Sequence, residues 1–254
     1  MTLLWIICAT LAGTVLSIVA AALLSFTALT TVVPRMVSYA VGAMLGATFL
    51  QLLPEAFRQA QSIEALFATT LAGLLGFFLL EKAALWRHHE HGDGGAHEHS
   101  DAELRKKPLV TLVVVGDGFH NFVDGVLIAS AFLVSPVVGV TAAIALIAHE
   151  IPQEIGDFMV LLDCGLSRPR ALALNLASGA TAIAGGIAGY FALAHAQQIT
   201  PYVLALAAAS FIYIAVADLI PGLHRVMDAR STGWQIVLIA AGIVTVTLPH
   251  VFLH

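Results

Sequence analysis

Charge is what this 254-residue chain lacks first: Asp, Glu, Lys and Arg make up 11% of it, against 59% apolar residues and a mean hydropathy of +0.92. An ordinary soluble domain carries about a quarter charged residues, so that class is excluded and the bilayer is the implied solvent. Basic residues are scarcer still. None precedes Arg35, so the first apolar stretch lacks the n-region of a secretory leader and reads as a retained helix. No basic face exists to hold a nucleic-acid phosphate backbone, which excludes nucleic acid as a partner. Cys8 and Cys164 are the only cysteines, and a disulfide between them would have to span the membrane. There is also no polar run long enough for a separate soluble domain.

What is present is a series of eight apolar stretches, at 3–29, 37–57, 62–85, 108–134, 137–163, 169–195, 200–223 and 233–253. Each is long enough to cross a hydrocarbon core of about 30 Å. The expected fold is all-α and integral to the membrane, with eight transmembrane helices in a single domain over 1–254. Placing both termini outside puts every one of the 11 Lys and Arg except Arg58 on the inner side, which fixes the expected orientation. The one conspicuous hydrophilic segment, 87–107, is then a cytoplasmic loop, and its His88, His89, His91, His97 and His99 offer imidazoles for weak, labile metal binding.

LeuLeuProGlu at 52–55 echoes LeuIleProGly at 219–222 in stretches that run in opposite directions, the mark of an inverted repeat. Gly179, Gly185, Gly186 and Gly189 in the sixth stretch permit close or sliding helix contact. Glu55, Asp218, His195, His224, His250 and His254 lie near stretch ends, where water accounts for them.

The chemistry is concentrated between Pro108 and Ser167, where no Lys or Arg occurs but Asp117, Asp124, Glu150, Glu154, Asp157 and Asp163 do. A carboxylate deep in the bilayer costs about 2.5–3.5 kcal/mol or more, so several together call for protonation, pairing or a bound cation. His120, Asn121 and His149 complete a donor set suited to zinc-like metals. On a helix, Asp117, His120 and Asp124 share one face, while His149 pairs with Gln153 and Glu150 with Glu154 at i,i+4. The short link between the fourth and fifth stretches makes them antiparallel neighbours, so their midpoints meet at one depth. Pro152 removes a backbone donor beside His149 and frees the Ala148 carbonyl. Asp117 and Asp157 suit a supporting role, accepting hydrogen bonds from ligand imidazoles.

HNFVDG at 120–125, HEIPQEIGD at 149–157, FLQLLPEAF at 49–57 and the His-rich loop together resemble the ZIP family of zinc- and iron-transporting membrane proteins, closest to the branch with HNFxDG and HExPHExGD signatures. The resemblance covers essentially the whole chain. It implies helices 1, 4, 5 and 6 as a metal-carrying bundle that slides against a scaffold of helices 2, 3, 7 and 8, usually in a homodimer, with metal moving toward the cytoplasm. It makes His120, Asp124, His149 and Glu150 the principal ligands and Asn121, Gln153 and Glu154 secondary ones. Zinc, or cadmium, iron, manganese or cobalt, enters as transported substrate, with no organic cofactor.

Two departures narrow the site to one metal. Gln153 stands where this branch has His, and SerGlyAlaThrAla at 178–182 lacks the acid that binuclear members carry after SerGly. Gln51, where relatives often have His, alters the expected entry or exit path. Two rival functions remain: an intramembrane metal sensor without flux, and a membrane-embedded zinc metallohydrolase. HisGluIleProGln shares the first half of the HExxH protease motif, but its second His is missing.

Overall fold

The computed structural model describes residues 1–23, 26–90, 101–224 and 228–252, and every regular element among them is helical. Helix α1 spans Thr2–Leu23. Helix α2, Phe26–Ala47, passes through a π-helical turn at Thr48–Leu52 into α3, Leu53–Gln59. Then come α4, Ile63–Glu90, α5, Asp101–Val134, and α6, Pro136–Asp163. Helices α7, Arg168–Gly179, and α8, Thr181–Ala194, meet at a break at Ala180. Helix α9, Thr200–Tyr213, passes through a second π-helical turn at Ile214–Leu219 into α10, Ile220–Leu223, and α11 covers Ala229–Phe252.

Six helical runs among the described residues are long and apolar enough to cross a membrane, and the chain is a multi-pass membrane protein. Helix α4 holds a shorter apolar run, Ile63–Leu79, and α5 interrupts its own with Asp117, His120, Asn121 and Asp124. Helix boundaries depart from the apolar stretches in several places: Phe26 to Leu29, expected in the first stretch, belong to α2, and the sixth stretch, 169–195, is broken at Ala180. Residues 30–36, expected as a connection, are helical through Pro34 and Arg35, because an exposed arginine at a helix flank extends its head to water without ending the backbone ladder. Helix also enters the expected 87–107 loop from both sides, through Glu90 and from Asp101. His91, His97 and His99 lie outside the described residues.

Small residues set the closest crossings. A Cβ added at Gly125 would strike the Ala182 carbonyl and one at Gly185 the Phe122 carbonyl, so α5 and α8 touch backbone to backbone. Gly42 against Ile239, Gly46 against Ile243 and Gly242 against Tyr39 do the same for α2 and α11. Helix α1 turns its buried stripe of Ile6, Thr10, Gly13, Thr14, Ser17 and Ala21 toward α6 and α8.

The two π turns answer the proline-containing echo. Leu53 donates its amide to the Thr48 carbonyl and Ile220 to the Ala215 carbonyl, each five residues back. In both cases proline follows at once, at Pro54 and Pro221, and a widened turn accommodates a residue that lacks an amide donor. Each π turn packs on the helix that precedes the other, 48–52 on α9 and 214–219 on α2.

Candidate metal centre

The α5–α6 hairpin builds the centre. Ser135 is its only non-helical residue; its hydroxyl accepts from the Val138 amide, and Pro136 follows at the first helical position. The two helices are thereby held antiparallel, and His120 and Asp124, one turn apart on α5, face His149 and Glu150 on α6.

Nε2 of His120 lies 3.6 Å from Oδ2 of Asp124 and 3.6 Å from Oε1 of Glu150. Nε2 of His149 lies 3.4 Å from the same aspartate oxygen and 3.5 Å from the same glutamate oxygen. One ligand atom from each residue falls within 4.8 Å of all the others. These separations exceed ordinary N–H···O bonds of about 2.7–3.2 Å. They come close instead to the edge of about 3.3–3.4 Å of a tetrahedron whose corners stand about 2.0–2.1 Å from zinc, and the remaining pairs lie within 4.8 Å, so the group is a slightly open cradle for an ion.

The atoms concerned are buried and lack hydrogen-bond partners: both imidazole Nε2 atoms, both Asp124 oxygens and Glu150 Oε1. Four converging, unsatisfied donors of N2O2 chemistry fit a divalent transition metal. His149 is 1% exposed, its Nδ1 faces the Ala145 carbonyl at 3.4 Å, and Phe211 packs edge-on against its ring. A proton kept on Nδ1 leaves Nε2 free to ligate.

The remaining sequence candidates lie beside this group. Asn121 donates its side-chain amide to Oδ1 of Asp117 at 3.0 Å, and Gln153 to the same oxygen at 3.4 Å. Asp117 is thus engaged by two amides. Glu154 is buried with Oε2 unpartnered, and Asp157 is half-buried nearly one turn further along α6. His88 and His89 belong to the last turns of α4.

Supporting residues that the motifs did not reveal cluster at the α7–α8 break. Thr14 on α1 donates to the Gly179 carbonyl, Thr181 to those of Gly118 and Ser178, and Asn175 to that of Glu154. These bonds satisfy backbone oxygens that lipid could not, and they tie α1, α5, α6 and α7 around the centre. A cavity of about 200 Å³ reaches His149, bounded by Pro152, Gln153 and Gly156 on α6 and by Val33, Val37 and the second π turn.

The family model described as ZIP Zinc transporter matches residues 85–248. Zinc transporter ZIP13 of Pongo abelii is 31% identical over 235 residues, 86% of this chain and 67% of the relative. Zinc transporter ZIP4 of Mus musculus is 42% identical over 140 residues, 54% of this chain, and ZIP10 of Homo sapiens 37% over 153 residues, 59% of it. The matched regions make up only 20% and 18% of those two longer proteins.

Proposed function

The chain belongs to the ZIP family, and from that premise we propose that it transports a divalent transition metal, zinc foremost, across the membrane toward the cytoplasm through His120, Asp124, His149 and Glu150. The observation that carries this reading is the N2O2 group itself, whose buried ligand atoms converge within 4.8 Å of one another in a 60-residue segment free of Lys and Arg.

In this reading a hydrated cation enters from outside and exchanges water for the two imidazoles and two carboxylates. It is released inward as helices α1, α5, α6 and α7–α8 move as a bundle against α2–α3, α4, α9–α10 and α11, completing an eight-helix transporter. Backbone contact between α5 and α8, without intervening side chains, suits a bundle that moves as one body. Both termini lie outside, the His-rich segment is cytoplasmic and receives the released ion, and the working unit is a homodimer. With Gln153 and Asn121 turned to Asp117, one metal occupies the centre at a time.

The test is metal flux into proteoliposomes for zinc, cadmium, iron, manganese and cobalt, comparing wild type with His149→Ala and Asp124→Ala. Loss of flux in both variants is expected. Unchanged zinc flux in both would sink the assignment, and zinc binding by wild type without flux would make the protein a sensor. Neither family membership nor HisGluIleProGln, with its missing second His, favours a hydrolase.

A further inference from the structure

On the opposite side of α6 from the cavity at His149 lies a larger groove of about 490 Å³, within the size range of ligand pockets. Ile147, Ala148 and Ile151 form one wall, Arg35 and Tyr39 on α2 another, and Leu238 on α11 the third. Most of the lining side chains are half-buried, so the groove is open, and none is acidic. Arg35 is exposed and forms no ion pair with a described residue.

A second arginine approaches the same end. Gly42 lies on Ile239 and Gly46 on Ile243, so α2 and α11 run parallel. Arg35 stands two turns before Gly42 and Arg230 two and a half turns before Ile239, about 10 and about 13 Å below the crossing. Asp228 at that end accepts from the Ser231 amide, which favours its ionised form, so it offsets part of the charge of Arg230 and leaves Arg35 as the groove's own cation. The groove therefore sets one guanidinium, that of Arg35, in an otherwise largely apolar slot about 10 Å long from Val32 to Tyr39, with no acid among its lining residues.

We propose that this groove binds one anionic phospholipid, its acyl chain against Ile147, Ala148 and Ile151 and its phosphate on Arg35, and that the bound lipid tunes metal passage. Basic pockets between membrane helices bind anionic headgroups by this combination of charge and apolar depth. The tuning follows from position. Ala148 precedes the ligand His149, and its carbonyl faces Pro152, which has no amide to return the helical bond. A chain seated there presses on α6 where its ladder is already open. The lipid site stands on the groove alone, and only its effect on flux rests on the transport function proposed above.

Purified full-length protein is exchanged into detergent with phosphatidylglycerol or phosphatidylcholine, without metal, and retained lipid is read by native mass spectrometry. Wild type is expected to keep one phosphatidylglycerol per chain. Arg35→Gln, which removes the charge, and Val32→Trp, which fills the slot, are expected to lower retention about fivefold or more. A monodisperse size-exclusion peak and an unchanged thermal midpoint in all three certify that the variants fold. Equal retention across the three proteins, or equal retention of phosphatidylcholine, would overturn the site. Zinc flux of wild type that is identical in vesicles of pure phosphatidylcholine and in vesicles with added phosphatidylglycerol would overturn the tuning.

Discussion

At His149 the two ring nitrogens are committed in opposite directions, one to the Ala145 carbonyl and one to the space shared with Asp124 and Glu150. His149→Ala or Asp124→Ala therefore removes a ligand without freeing another. Zinc affinity is expected to fall by well over tenfold, since outer-shell losses alone cost about 10–100-fold, as read by competition with a chromophoric chelator in detergent. Both imidazoles and both carboxylates must be deprotonated to ligate, so equilibrium zinc binding is expected to weaken as pH is lowered and to recover when it is raised. The same competition measured across pH checks the sign. These four residues were legible because helical spacing and the cost of buried charge both act along the sequence. Thr14 and Asn175 were not, because a hydroxyl or amide on a membrane helix usually bonds its own backbone. Thr14 does that too, reaching the Thr10 carbonyl, and only the packed neighbour reveals its second bond to Gly179.

Among the elements, the backbone crossings are the least forgiving. Gly185→Val or Gly125→Leu puts a side chain on a carbonyl oxygen and is expected to lower stability by at least about 1–3 kcal/mol, read as a thermal shift in detergent. Gly76→Ala, where a Cβ meets nothing within 4 Å, is the matched control and leaves the midpoint unchanged or raises it slightly. At the first π turn, Pro54→Ala restores an amide and lets the widened turn relax toward α geometry. Zinc affinity is expected to hold while flux changes, measured side by side in detergent and vesicles. The prolines and their echo could be read from the sequence, but ring size could not: hydropathy carries no record of whether an amide reaches back four residues or five. The same limit placed the start of the second helix too late, since a polar flank and a broken backbone look alike in composition.

For the whole molecule, composition alone was enough to identify a membrane protein, because 11% charge cannot solvate a surface of this size. The pairing of α5 with α8 and α2 with α11 was less accessible, since it depends on which glycines meet which carbonyls across long separations. Deleting 88–99 tests the proposed division between centre and exit: zinc stoichiometry at the four ligands is expected to persist, with altered flux, and loss of central binding would contradict it. The lone Ser135 between α5 and α6 bears on how the centre comes into being. All four proposed ligands lie between positions 120 and 150 on a single hairpin, so the chain closes the site with a short, entropically cheap loop. During synthesis the complete ligand set has emerged once α6 is made, ahead of the α7–α8 break and of α9 and α11. A metal bound at that stage would serve as a template on which the later helices assemble.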